Sequence, residues 1–434
     1  MKYIVKILKI NWLPLLAAVL FFTSCNKDVE QFIETPVTPP SGKTLGETIA
    51  ATPSDSLYYR LISRAGLVPT ITNKSTTYTM FVPGNDAMKI FINAISGGQV
   101  PLQAPDAVFS GFISTVIPAP TAAAIVSYNI TSQALLSANI PATFPNLQYP
   151  TILNPAPNIS ALLRLTTFPS TRNGAWLNNI PLVPALDVVT VNGIIHHTAL
   201  VVMPPQKFLW DRISSDTTLT YLKAAIIRAD SGTAAPGTLQ GALLNIGANL
   251  TVFAPTDAAF KATLTGAIYQ ALLPQVIQQL TAAYIGGGML PADAATAAAT
   301  NAPPIAISQA TTIASTPAVF QNPALFSVLT AQTVKGIVVY HLFGYRAYTN
   351  NFPTTTTYYP TLLNGAVPTH PGVGVTAVFG TPFVTSATVK GVGNATAANV
   401  IINASPLLPD PVGTSDQNYL NGVLHKIDQV LLPK

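Results

Sequence analysis

Five histidines, one cysteine and 16 carboxylates are the groups in this 434-residue chain best equipped for chemistry. The histidines are His196, His197, His341, His370 and His425. Metal binding needs ligands that converge, and acid–base work needs an imidazole or carboxyl within reach of a reacting proton. Neither pattern is written in the spacing. Cys25 stands alone, so there is no internal disulfide and no cysteine cluster for zinc. No Gly-x-Ser-x-Gly elbow, phosphate-binding glycine loop or His-Glu-x-x-His run occurs. The carboxylates are dispersed, with no pair spaced as in a glycosidase. His196 and His425 each follow an Asn-Gly pair at the same offset, Asn192-Gly193 and Asn421-Gly422. A histidine that recurs at one position of a repeat points to a fold requirement, an imidazole bonding nearby backbone. The expectation is a protein with no catalytic residues, no cofactor and no metal.

The elements that hold these residues recur twice, in the same order. The first landmark is Thr79-Met80-Phe81-Val82-Pro83, followed by Asn85, Asp86 and Met88; its counterpart is Thr251-Val252-Phe253-Ala254-Pro255, followed by Thr256, Asp257 and Phe260. Each reads as a short apolar strand stopped by proline, then a helix start. Thr256 or Asp257, and Asn85 or Asp86, are expected to cap the free amides. The second landmark is Tyr128-Asn129 against Tyr340-His341, each ending an amphipathic run. In the second copy Leu325, Val328, Leu329, Val334, Ile337 and Val338 approximate a helical stripe. The third is the Asn-Gly segment, read as a hairpin turn because both residues tolerate positive φ. The closing strand after it is apolar on both faces, as in a strand covered on two sides. Leu57, Leu61 and Ile62, and Leu219, Leu222 and Ile226, suggest an early amphipathic helix in each copy. Asp55-Ser56-Leu57 and Asp216-Thr217-Thr218 precede those helices and read as caps.

These landmarks resemble fasciclin-type domains. The opening strand-and-cap signature, the Tyr-His pair at 340–341 and the closing Asn-Gly-x-x-His-x-Ile-Asp-x-Val-Leu segment are family motifs. The first copy departs from them at Gly84, Asn129 and Thr198-Ala199. The resemblance implies an α+β fold: two tandem domains, each a β-sandwich or wedge with helices packed on one side. It assigns mainly structural roles to Thr251, Phe253, Pro255, Asp257, Phe260, Tyr340, His341, Asn421, Gly422 and His425. Phe81, Pro83, Tyr128, Asn192, Gly193 and His196 take the same roles in the first copy. The domains are expected at 43–205 and 206–434, the second with insertions about 266–323 and 354–382 that read as surface loops or added hairpins and helices. The short Pro204-Pro205 junction predicts a stiff two-domain rod.

Residues 1–24 read as a secretory signal: Lys2, Lys6 and Lys9, then an apolar stretch from Trp12 to Phe22. Phe22-Thr23-Ser24-Cys25 resembles the lipobox of bacterial lipoproteins, which implies acylation of Cys25 and stable anchoring through several chains. Residues 25–42 read as a flexible tether. Without the three signal lysines, 18 of the 21 basic side chains remain against 16 acidic ones. No basic run occurs, so nucleic acid is not an expected partner. Charged residues make up 9% of the chain, against the ~25% usual for soluble proteins. The combined expectation is an outer-membrane lipoprotein of Bacteroidota type, exposed at the cell envelope surface, that binds the membrane through its lipid and an extracellular protein or matrix partner. The alternative is a glycan-binding accessory lipoprotein of an outer-membrane nutrient-uptake system. Its candidate stacking rings are Tyr345, Tyr348, Phe352, Tyr358 and Tyr359.

Overall fold

The computed structural model describes residues 41–380, 383–403 and 413–434. The expected signal, Cys25 and the tether as far as residue 40 lie outside the described residues. Gly42–Lys434 is one compact unit. In its first repeat, α1 (Leu45–Ala51) opens on a capping box: Thr44 Oγ1 accepts the Glu47 amide and Glu47 accepts the Thr44 amide. Then come α2 (Ser56–Arg64), β1 (Tyr78–Pro83), α3 (Asn85–Ile95), α4 (Asp106–Thr115), α5 (Ala119–Tyr128) and β2 (Ile130–Thr131). A small sheet of β3 (Pro169–Ser170), β4 (Trp176–Leu177) and β5 (Ile180–Pro181) precedes the closing hairpin of β6 (Val188–Thr190) and β7 (Gly193–Thr198).

The second repeat runs α6 (Leu209–Ser215), α7 (Thr220–Ala229), β8 (Leu250–Pro255), α8 (Asp257–Gly286), α9 (Pro291–Ile313), α10 (Ala331–Tyr340) and β9 (Leu342–Phe343). A second sheet of β10 (Thr357–Tyr359), β11 (Val373–Phe379), β12 (Val384–Lys390) and β13 (Ala398–Asn399) follows. The closing hairpin is β14 (Gln417–Tyr419) and β15 (Gly422–Ile427).

The main sheets have the same order, β2-β1-β7-β6 and β9-β8-β15-β14. In each, the opening and closing strands pair in parallel at the same register, Tyr78 with Gly193 and Leu250 with Gly422. Their two faces bury different partners. Met80, Val82 and Ile195 pack among helices, whereas Phe81 joins Tyr128, Leu177 and Leu182 on the other side. In the second repeat Val252, Ala254 and Leu424 face helices, and Phe253 and Ile427 face Val375, Ala387 and Val389 of the second sheet. The layers are therefore helices, main sheet and smaller sheet. Apolar residues on both faces of β7 and β15 follow from that sandwiching.

The region about 266–323 takes the helical alternative: α8 and α9 form an antiparallel helical hairpin despite Pro274, Pro303 and Pro304 inside the helices. Ala294, Ala298, Ala302, Ala306 and Ala310 recur every four residues and are fully buried. With Ala302 and Ala306 packing by Val276, Leu272 and Leu280, small side chains let the two helices approach closely. The helical stripe begun at Leu325 is shorter than its pattern. Thr330 caps α10 by accepting the Thr333 amide, Leu325 sits in a separate 3₁₀ turn, and Val328 is exposed.

The repeats meet in a buried junction. Phe168 packs on Tyr348 with ring centroids 5.9 Å apart, and the Arg346 guanidinium lies 5.2 Å over Phe168. Phe144 touches the rings of Tyr345, Phe352 and Tyr359. Amides stitch the backbones together: Asn351 Nδ2 donates to Thr143 O (2.8 Å), Asn350 Nδ2 to Asn178 O (2.9 Å) and Asn173 Nδ2 to Asn350 O (3.1 Å). The buried amides of Asn350 and Asn351 fix the relative placement of two elements, because leaving either unpaired costs about 1–3 kcal/mol.

Candidate functional site

The same brace surrounds the recurring histidine in both repeats. His196 Nε2 bonds Leu135 O at 2.7 Å, and its Nδ1 accepts the Asp187 amide at 3.4 Å. His425 Nε2 bonds Ala347 O at 2.8 Å, and its Nδ1 accepts the Asp416 amide at 3.1 Å. Both rings stack on the strand phenylalanine beside them, Phe81 and Phe253, at 5.7 Å. Each aspartate is left-handed, with φ of 67° at Asp187 and 54° at Asp416. Its carboxylate lies 3.9 Å (Asp187) or 3.7 Å (Asp416) from the imidazole and spends its hydrogen bonds on a loop: Asp416 accepts the Thr349 amide (2.7 Å) and hydroxyl (2.5 Å), and Asp187 accepts the same two groups of Ser137. Thr251 ties that loop down as well, donating to Tyr345 O (2.6 Å) and accepting the Ala347 amide (2.9 Å).

Histidine, aspartate and serine or threonine thus gather twice, but in the wrong order for nucleophilic catalysis. A triad needs the hydroxyl on the free imidazole nitrogen and the carboxylate on the other. Here the hydroxyl binds the carboxylate, and both imidazole nitrogens are spent on backbone. Burial lowers the affinity of both rings for a proton, outweighing the nearby carbonyl and aspartate. Asp187, Ser137, Asp416 and Thr349 were not legible as site residues. The available signal was spacing: each aspartate lies nine residues before its histidine.

The Tyr-His pair does comparable work. Tyr340 OH donates to Gly372 O (2.7 Å), and His341 Nδ1 bonds Ile337 O (2.8 Å) while its Nε2 accepts the Leu431 amide (2.8 Å). Asn129 stands in for that histidine: its Nδ2 donates to Ile125 O and Val202 O, both at 2.8 Å. Tyr128 OH donates to Thr166 O and accepts from Asn418 across the junction. Asn421 Oδ1 accepts the Leu209 amide and Asn192 Oδ1 the Leu45 amide, so each Asn anchors the first helix of its repeat. Neither Asn has positive φ, contrary to expectation. Gly193 and Gly422 are needed because a Cβ would lie 2.0 Å from Tyr78 O and 2.4 Å from Leu250 O.

Other expected caps are cross-links instead. Thr256 caps α8, whereas Asp257 reaches back to accept the Tyr221 amide (3.0 Å) and the Thr220 hydroxyl (2.6 Å) at the start of α7. Asn85 does the same for the Leu57 amide in α2. Phe260 stacks on Tyr221 at 6.2 Å. Pro83 and Pro255 end the parallel ladders opposite Thr198 and Ile427. Asp55, expected as a cap, makes no capping bond and meets His197 Nε2 at 3.0 Å. Asp216 accepts the Thr218 amide (2.8 Å) ahead of α7 and also meets Lys426 Nζ at 2.7 Å. Of the five rings considered as a sugar platform, Tyr348 and Phe352 are fully buried in the junction, so they present no stacking surface. Among the described residues no three His, Cys, Asp or Glu groups are placed to share a metal ion.

Burial holds the His341 imidazole down to about 4, with the Ile337 carbonyl opposing weakly. An unfolded histidine titrates near 6.5, so its neutral folded form stabilises the protein fully above that pH. As the pH falls from there towards 4, the unfolded chain takes up a proton that the folded chain refuses. The loss should reach on the order of 3 kcal/mol. His341→Asn, which copies Asn129, should keep the tie and remove this share of acid sensitivity. Urea unfolding of both proteins at pH 7 and pH 4 checks it; an equal loss in the two would contradict the assignment.

Residues 54–204 match the fasciclin-domain family model. No curated protein matches the sequence at significance. Among solved structures, the chain is similar to a FAS1 domain pair from the insect cell adhesion molecule fasciclin I. Identity is 14% and the TM-score 0.28, over 86% of this chain and 95% of that one.

Proposed function

Residues 54–204 form a fasciclin domain, and from that premise we propose a non-catalytic adhesion protein, held at a bacterial outer-membrane surface by a lipid on Cys25. Its partner is an extracellular protein or matrix component. The observation that carries the reading is the family match itself, because fasciclin domains are associated with cell adhesion. The braces support it: the side chains best suited to catalysis bond backbone and hold loops in both repeats. Small residues before Cys25 support the anchor.

Expression of the full chain in a non-adherent bacterial host tests both parts. Cells should be retained on collagen-coated or fibronectin-coated surfaces or on a cell lawn. Radiolabelled palmitate should enter the wild-type chain but not Cys25→Ala, which should also lose retention. No retention on any of these surfaces would defeat adhesion, and equal labelling would defeat the anchor.

A further inference from the structure

We infer that the cleft between the two repeats binds a neutral oligosaccharide, with one sugar ring in its deeper part. Two cavities adjoin along the junction. The deeper, about 220 Å³, is walled by Trp176, Ile180 and Leu200 of the first repeat and by Asn350, Phe383 and Asp416 of the second. The outer, about 490 Å³, passes Met203 and Lys207 to Asn418. Asn179 and Ile180 line both, so the β4–β5 turn marks where they join.

That turn is a rigid mount. Asn178, at φ 55°, is held through its side chain by the Phe168 amide (2.9 Å), the Thr167 hydroxyl (3.2 Å) and Tyr128 OH (3.3 Å). Its carbonyl accepts from Asn350. The next residue, Asn179, is half-buried, and its side chain has no hydrogen-bond partner among the described residues. Asn350 in the same wall is 2% exposed and enclosed, its Nδ2 tied to Asn178 O, so it backs the turn that carries Asn179.

The chemistry of the walls selects the ligand. Amides donate and accept side by side, which matches vicinal hydroxyls. Phe383, part-exposed in the same wall, adds an apolar flank suited to the C–H face of a sugar, with the buried Trp176 packed edge to face behind it at 6.2 Å. The Asp416 carboxylate, already accepting from Thr349, disfavours an anion in the deeper part. Its volume is below the ~300–1,000 Å³ that houses drug-sized ligands, which fits one ring, while the outer part takes the units that follow. The inference is independent of adhesion, since a free oligosaccharide would occupy the cleft whether or not the protein holds cells.

Calorimetric titration of the full chain in detergent with maltotriose, cellotriose and triacetylchitotriose tests it, with trigalacturonate as the anionic contrast. At least one neutral trisaccharide should bind and trigalacturonate should not. Asn179→Ala should weaken binding about tenfold, the loss of one hydrogen bond, with an unchanged melting temperature. Asn179→Trp should fill the join and abolish binding. Absence of binding by all three neutral sugars, comparable binding of trigalacturonate, or wild-type affinity in Asn179→Ala would overturn the proposal.

Discussion

Asp216→Ala is expected to destabilise the protein by about 3–5 kcal/mol, the cost of breaking a buried ion pair by removing one member. Lys426 lies on β15 and is 3% exposed, and its Nζ meets Asp216 Oδ2 at 2.7 Å. Arg212 reaches the same oxygen at 2.7 Å from α6. Burial by itself would raise the Asp216 carboxyl, but the bonds from Lys426 and Thr218 outweigh it and hold it below the usual range. The carboxylate therefore contributes stability at neutral pH that is lost as the pH falls below the ordinary carboxylate range. Arg212 is partly exposed and can turn to water; Lys426 cannot. Replacing the buried pair together, as Asp216→Leu with Lys426→Met, should recover part of the loss, because two packed apolar side chains carry no desolvation cost of a broken ion pair. Urea denaturation of the three proteins decides it. A single variant as stable as wild type, or a double variant worse than the single, would contradict this account.

The second large effect is expected at Gly422. Its missing Cβ would sit 2.4 Å from Leu250 O and 2.6 Å from Leu209 Cδ1, inside the parallel ladder and against the first helix of the repeat. Backbone cannot yield there without opening six paired positions between β8 and β15. Gly422→Val should prevent the second repeat from folding, seen as loss of soluble protein or of the cooperative unfolding transition. Gly266 makes the contrast. It lies inside α8 with nothing within 4 Å of a built Cβ, so Gly266→Ala should raise stability by about 0.5–1 kcal/mol through helix propensity. A soluble, normally melting Gly422→Val protein would show that the close approach is not needed.

These two glycines also show what could be read in advance. The Asn-Gly segments were visible as repeated letters, and they do close each repeat. The physical reason was not visible, because steric crowding against a strand some 170 residues away leaves no mark on local sequence, whereas a turn preference does. The histidines recurred and could be found; the aspartates that hold them sat in otherwise unlike surroundings. The α8–α9 hairpin lies in a stretch whose three prolines and run of alanine and threonine leave loop and helix both open, because only a partner helix supplies the packing that decides between them. The family match falls on 54–204, the copy with more departures from the motifs. In the other copy that hairpin and the added sheet stretch the distance between landmarks, although Thr251–Phe260 carries the more regular motif.

The parallel pairing of opening and closing strands has a mechanical consequence. Tension entering at the start of β1 and leaving at the end of β7 pulls two parallel strands in opposite senses along their length. All six register pairs from Tyr78–Gly193 to Pro83–Thr198 then bear load together in shear, and none can be peeled ahead of the next. The second repeat has the same clamp between Leu250 and Ile427. A chain gripped at both ends is thus built to yield last at the strands that define each repeat.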